Sequence, residues 1–222
     1  MPRVTRGVAD GVVYHVLNRE NGRQRVFHKD GDFAAFIALL GEAKARHPVK
    51  IFSYCLMPNH FHLLLQADAG AELSRFMQWL MTSHVRRYHR HYRTSGHVWQ
   101  GRFKSFVVQE DEHLLTVARY VEGNPLRAGL AVSARAWPWS SHRESCGEVA
   151  RTLTQPPPIA LPGDWSALVD TALTAAELEK LRTSVARQAP FGQAAWLEQV
   201  VRSLGLESTV RPRGRPRKKA EK

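Results

Sequence analysis

Two periodicities organise the chain. GVVYHVLNR (11–19) is dense in β-branched and aromatic side chains and predicts a strand. Gly22 to Asp32 is polar and turn-like. Phe33, Phe36, Ile37 and Leu40 then recur at helical spacing, predicting a helix from an Asp32 cap to about Arg46, ended by His47-Pro48. VKIFSYCLM (49–57) and HFHLLLQA (60–67) predict two strands, joined into a hairpin at Pro58-Asn59. Over about 70–92, Leu73, Phe76, Met77, Leu80, His84, Val85 and Tyr88 trace one stripe of a long helix, with Gly96 as its breaker. RFKSFVVQ (102–109) predicts a further strand. Asp111 opens a helix to about 122, which Asn124-Pro125 interrupts.

The order strand, helix, two strands, helix, strand, helix predicts an α+β fold: a ferredoxin-like or RRM-like antiparallel sheet with packed helices. The segment 131–165 is rich in Trp, Pro and Ser and reads as a loop-rich wrap followed by a linker. Thr174 is placed to cap AAELEKLRTSVAR, and PFGQAAWLEQVVRSLG carries another helix. Three regions are expected: a catalytic domain over 1–150, a helical DNA-binding accessory region over 151–210, and a basic tail over 211–222.

Composition narrows the partner. Lys and Arg number 32 against 20 acids in 222 residues, for a net charge of +12 and a pI near 10.3. That surplus points to a polyanion, nucleic acid first. Hydrophobic residues make up 43% of the chain, enough for a packed core. The two cysteines, Cys55 and Cys146, form no CxxC and argue against a disulfide scaffold or a Cys-rich zinc module. No apolar run is long enough to span a membrane, and the N-terminus lacks a signal peptide's apolar core. The expected location is the cytoplasm, at the nucleoid.

Two histidines can carry chemistry. His60 and His62 alternate on a strand, so both imidazoles face one side and can converge on a metal while Phe61, Leu63 and Leu65 point into the core. Two protein ligands leave positions open for a third ligand, water and substrate oxygens. A bare HxH is also compatible with two ordinary histidines on a wet sheet face. Tyr120 ends a predicted helix, where tyrosine is usually a core-edge residue. Asn124, four residues on, would share its face if the helix continued, although Pro125 biases the backbone away from that course. A phenol ionises at about pH 10, so attack on a phosphodiester becomes feasible when a metal polarises the phosphate.

From Leu73 to Gln109 there is no acidic residue, while Arg75, Arg86, Arg87, Arg90, Arg93, Arg102 and Lys104 all fall there. Arg75, Trp79, Arg86, Arg90 and Arg93 lie roughly opposite the apolar stripe. Basic groups follow phosphates and aromatic rings stack on unpaired bases, so this face is read as a DNA contact, against the alternative of a solvated helix face. His84, His89, His91 and His97 lack a ligand spacing and are assigned to packing or phosphate contacts. In RPRGRPRKK (211–219), Arg213, Arg215 and Arg217 resemble an AT-hook core that fits a narrow minor groove; a nonspecific basic tail is the alternative.

YHVLNR (14–19), YCLMPNHFHLLL (54–65), VWQGRFKS (98–105), YVEGNPLRAGL (120–130) and WPWSS (137–141) occur in this order. Over about residues 10–145 the chain resembles the Y1 transposases of the HUH superfamily, IS200/IS605-like, and more closely the REP-associated tyrosine transposases. The resemblance implies nicking and joining of single-stranded DNA at REP-like hairpins through a 5′-phosphotyrosine. His60 and His62 would be metal ligands, Tyr120 the nucleophile and Asn124 the third ligand, where IS200-like enzymes carry glutamine. The metal would be Mg²⁺ or Mn²⁺, and the protein a monomer or a homodimer. Phe61 departs from the Val or Ile often found between the histidines, without changing the anchoring role. A domesticated hairpin-binding protein without cleavage, and a metallohydrolase using activated water, are the competing readings.

Overall fold

The computed structural model describes residues 7–211. Its centre is a four-stranded antiparallel sheet in the order β2-β3-β1-β4, built from β1 (Val13–Arg19), β2 (Val49–Met57), β3 (His60–Ala67) and β4 (Lys104–Val108). With α1 (Asp30–Arg46) after β1 and α2 (Gly70–Tyr92) after β3, this is the expected βαββαβ plan. A register shift between Ile51 and Ser53 marks a bulge in β2.

Strand alternation sends opposite sets of side chains to two cores. Phe61, Leu63, Leu65 and Ala67 of β3 pack beneath α1 and α2 with Phe36, Leu40, Leu73, Phe76 and Leu80. Leu64 faces the other way, with Val13, Cys55, Phe106 and Val108. That second face is covered by α3 (Glu112–Glu122), through Leu114, Val117 and Val121. His60 and His62 share the parity of Leu64 and lie under α3.

The periodic elements match their expected spans to within a few residues, and two local expectations are corrected. Asp32 is not the cap of α1; it is the third residue of the helix, and its carboxylate accepts from the backbone N–H of His28 (2.8 Å) and Lys29 (3.2 Å). The long helix spans its expected 70–92, but the residue that stops it is Arg93, in the left-handed conformation (φ 52°), rather than Gly96. Asp111 does cap α3, accepting from His113 N–H at 2.9 Å, and Thr174 forms a capping box with Glu177.

Segment 131–165 is more ordered than a linker. It holds α5 (His142–Ser145), which follows the short α4 (Asn124–Arg127), and its end leads into α6 (Trp165–Asp170). Leu56 N–H donates to Trp139 O and Ser141 N–H to Tyr54 O, both at 2.9 Å, and Gln155 N–H donates to Ile51 O at 2.8 Å. The outer edge of β2 is thereby occupied. At the opposite edge Phe191 N–H donates to Val107 O (2.8 Å) and Phe191 O accepts from Gln109 N–H (3.0 Å), a parallel bridge onto β4. Trp165, Val169, Leu181 and Phe191 enter the same apolar cluster as α3, with α7 (Ala175–Arg187) and α8 (Ala194–Ser203) completing the C-terminal region.

Candidate active site

The two β3 histidines stand side by side, ring centroids 5.0 Å apart and nearly perpendicular (79°). His60 lies opposite Arg19 of β1 and Met57 of β2; His62 lies opposite Leu17 and Cys55. Each has its Nδ1 engaged by protein. His60 Nδ1 is 2.7 Å from Asn59 Oδ1, and His62 Nδ1 is 2.9 Å from Nε2 of His15, a fully buried β1 residue stacked at 5.0 Å. Burial lowers His15 and His60 to about 3 and pushes His62 well below its usual range. At neutral pH all three rings are uncharged, the form in which imidazole ligates metal.

Tyr120 sits in the last turn of α3, half-buried, its ring 5.7 Å from His62 and 6.1 Å from His15. Phe106 of β4 backs His15 from the other side at 4.8 Å. The Arg127 guanidinium lies 4.3 Å over the Tyr120 ring and donates to the Tyr120 carbonyl oxygen, which α3 leaves without its usual helical partner. Burial lowers the Arg127 pKa, but a guanidinium stays cationic. Arg127 therefore holds the helix end and adds positive charge beside the phenol.

The chain bends at Gly123 (φ −80°, ψ 4°), between α3 and α4, where a Cβ would meet Arg119 O at 3.0 Å and Val169 O at 3.2 Å. Asn124 opens α4, so the helix carrying Tyr120 does not run unbroken through it. Its Nδ2 is buried without a hydrogen-bond partner. An orphaned buried amide calls for a ligand or water. That NH₂ is a donor and suits an acceptor such as a phosphate oxygen; a cation would be held by the two neutral imidazoles through their unclaimed Nε2 atoms, and Asn124 could join only through its carbonyl oxygen.

A second constellation holds α3 in place. Glu122 is buried and takes five donors: Ser53, Ser141 and Ser145 hydroxyls on Oε1 (3.1, 3.0 and 2.6 Å), and His142 Nδ1 and Trp165 Nε1 on Oε2 (both 2.9 Å). These bonds offset the cost of burial and hold the carboxyl below its usual range. His142 Nε2 also meets Ser166 Oγ (3.0 Å) and Cys146 Sγ (3.5 Å), an arrangement resembling a nucleophile–histidine–acid triad. His142 is fully buried, and burial pushes the Cys146 thiol up, the opposite of activation. The cluster is an anchor joining the Y120-V-E motif to the W-P-W-S-S segment. Asp111, Glu112 and His113 also lie close together, but Asp111 is committed to His113 N–H, His113 Nδ1 (2.7 Å) and Gln193 Nε2 (3.1 Å) at the start of α3.

The basic residues divide between the two sides of the sheet. Arg75, Trp79, Arg86, Arg87, Arg90 and Arg93 belong to α2 or its end, on the side away from Tyr120. Arg75 pairs with Glu72 (2.5 Å), and the Trp79 ring packs on the core beneath the Arg46 guanidinium at 5.0 Å, so it does not stand free for a base. Arg86, Arg90 and Arg93 are exposed. Lys104 falls on the other set and Arg102 borders both: with Leu17, Asn18, Arg19, Gln100 and Val185 they line a pocket of about 150 Å³, and Arg102 also lines a pocket with Met77 and Met81 of α2. Lys104 is paired with Leu17, on the histidine face, and the Arg19 Nε is buried without a partner. Arg213, Arg215 and Arg217 lie outside the described residues.

Sequence reasoning passed over His15, Arg19, Asn59, Glu122 and Arg127. All stand inside the motifs it singled out, and in β1 the parity of His15, Leu17 and Arg19 was there to be read.

Comparison with known proteins bears on the family and the fold. The model of the family described as Transposase IS200 like matches residues 9–124. A Haemophilus influenzae protein, provisionally named a REP-associated tyrosine transposase, is 28% identical over 115 residues, covering 46% of this chain and 65% of that relative's length. A solved structure described as a REP-associated tyrosine transposase bound to a REP hairpin aligns with TM-score 0.57 at 17% identity, over 79% of this chain and 96% of that one. At that identity the likeness is one of fold. Among the described residues no helix is long and apolar enough to cross a membrane.

Proposed function

Since the chain belongs to the IS200-like transposase family, we propose that it nicks and rejoins single-stranded DNA beside REP-like hairpins, with Tyr120 as nucleophile. One observation carries this reading: the Tyr120 ring lies 5.7 Å from His62, whose own ring is 5.0 Å from His60. A helix end thus brings a phenol to paired neutral imidazoles, with a cationic Arg127 over it.

In this reading His60, His62 and Asn124 hold Mg²⁺ or Mn²⁺. Bound there, the metal would supply Lewis-acid polarisation of the scissile phosphate. Tyr120 Oη forms a bond to phosphorus as the bond to the 3′ oxygen breaks. The phenolic proton passes to solvent and the 3′ oxygen takes one up. The 5′ phosphate stays on Tyr120 until a 3′ hydroxyl attacks it and the tyrosine leaves. Arg19, opposite His60 on β1, lines a pocket with Arg102 and Lys104, and in this reading the three contact backbone phosphates. The exposed arginines of α2 serve a separate stretch of the DNA. Residues 1–150 carry the chemistry, and 151–210 with the basic tail contribute accessory contacts.

The histidines, the tyrosine and the arginine come from one chain, which supports activity as a monomer. The test uses single-stranded oligonucleotides carrying hairpins from the host's repeats, with Mg²⁺ or Mn²⁺. The wild type should yield a covalent protein–DNA adduct, and Tyr120→Phe should bind the hairpin without forming one. Cleavage at the same site by Tyr120→Phe would overturn the assignment and favour activated water; hairpin binding by the wild type without any adduct would favour a purely binding role.

A further inference from the structure

Resting on the metal reading above, we infer that Asn59 and His15 are positioning residues that preset both histidines with the proton on Nδ1 and Nε2 free for the cation. The Asn59 side chain is oriented by the backbone: its Nδ2 donates to Arg23 O at 2.8 Å, which turns Oδ1 towards His60 Nδ1 at 2.7 Å. An amide oxygen can only accept, so His60 must carry its proton on Nδ1. A neutral imidazole has one such proton, and Nε2 of His60 is left as a lone pair.

His62 reaches the same state through a different group. Its Nδ1 and the Nε2 of His15 lie 2.9 Å apart, and two neutral rings share one proton along that line. When His62 presents Nε2 as a ligand, its proton is on Nδ1 and His15 accepts. His15 then holds its own proton on Nδ1, which is buried with no partner. This orphaned atom is the mark of a residue kept for something other than stability. Phe106 at 4.8 Å, His62 at 5.0 Å and Tyr120 at 6.1 Å fix the His15 ring, so the acceptor cannot swing away. Metal-ligating histidines in general have the second nitrogen held in this way, commonly by a carboxylate or carbonyl. Here an amide and a third imidazole do so, without adding negative charge.

The experiment is a Mn²⁺ titration of the full chain followed by electron paramagnetic resonance, which reads free metal independently of DNA cleavage. His15→Phe keeps the aromatic packing and removes the acceptor. Asn59→Leu removes the acceptor from His60. Each should weaken Mn²⁺ binding by about 10- to 100-fold. His15→Gln and Asn59→Asp retain an acceptor at the same reach and should restore binding to within a few-fold of wild type. Wild-type affinity in both His15→Phe and Asn59→Leu would overturn the inference, as would failure of both acceptor-retaining variants. Should the variants not fold, nitrogen-15 NMR of the metal-free wild type decides: protons on Nδ1 of His60 and His62 support the inference, and a proton on Nε2 of either overturns it. A wild type that binds no Mn²⁺ would instead remove the metal reading itself.

Discussion

Replacing Glu122 with leucine tests whether the buried anchor positions the helix that carries Tyr120. Leucine fills similar volume and accepts no hydrogen bonds. The three serine hydroxyls can rotate, and Ser141 still has Ser53 Oγ (3.1 Å) and Tyr54 O (3.3 Å) within reach. Trp165 Nε1 can only donate, and Glu122 is its acceptor; His142 Nδ1 loses its acceptor too. Each buried donor left without an acceptor costs about 1–3 kcal/mol, and Trp165 Nε1 and His142 Nδ1 are two such donors. Relief from burying the carboxylate offsets part of this. The expected net loss is about 2–5 kcal/mol, against a typical domain stability of about 5–15 kcal/mol. Urea unfolding followed by tryptophan fluorescence reads it as a lower midpoint at unchanged slope. Glu122→Gln should cost less, about 1 kcal/mol, because its amide can turn its oxygen towards Trp165 and its NH₂ towards the serines. Adduct formation should fall along with stability in Glu122→Leu, since Tyr120 lies two residues earlier on the same helix. A loss below about 1 kcal/mol for Glu122→Leu would refute the anchor.

Two further outcomes follow from buried and basic groups. His84 is buried among Phe27, Phe36 and Trp99, with burial lowering it to about 3 and its Nδ1 unpaired. Its unfolded value is about 6.5, so between pH 6.5 and 3 the unfolded chain binds the extra proton; stability is full above 6.5 and falls as pH drops. His84→Phe should therefore lose about 2 kcal/mol less than wild type between pH 7 and pH 5, and equal losses in urea midpoints would contradict it. Arg102→Gln and Lys104→Gln should each reduce the slope of log affinity against log salt by about 0.7 for a single strand, and an unchanged slope would place the strand elsewhere.

The sheet was legible because each strand carries enough alternation to fix its parity, and parity alone put His60 and His62 together. Tyr120 was legible through its motif. What was not legible depends on register. The contact of His15 with His62 exists because β1 lies beside β3, and no spacing within β1 encodes that neighbour. Arg127 reaches Tyr120 only through the bend at Gly123. The basic face of α2 could be read from helical periodicity, but which side of the sheet it would occupy could not, and the structure sets it away from the tyrosine. The short helices between 134 and 170 span too few residues to show a period; the Glu122 cluster that orders them includes a hydrogen bond between residues 88 positions apart, Ser53 and Ser141.

Both outer strands of the sheet are already hydrogen-bonded by their own chain, β2 by residues 139–155 and β4 by Phe191. This limits how two copies could associate. A dimer made by joining sheets into one continuous surface would first have to peel away one of these segments, exposing backbone groups and the apolar residues packed behind them. Self-association is left to helix faces and side chains. The same arrangement guards against aggregation through strand addition at the β2 rim, where residues 139–155 already take the backbone groups a stray strand would copy.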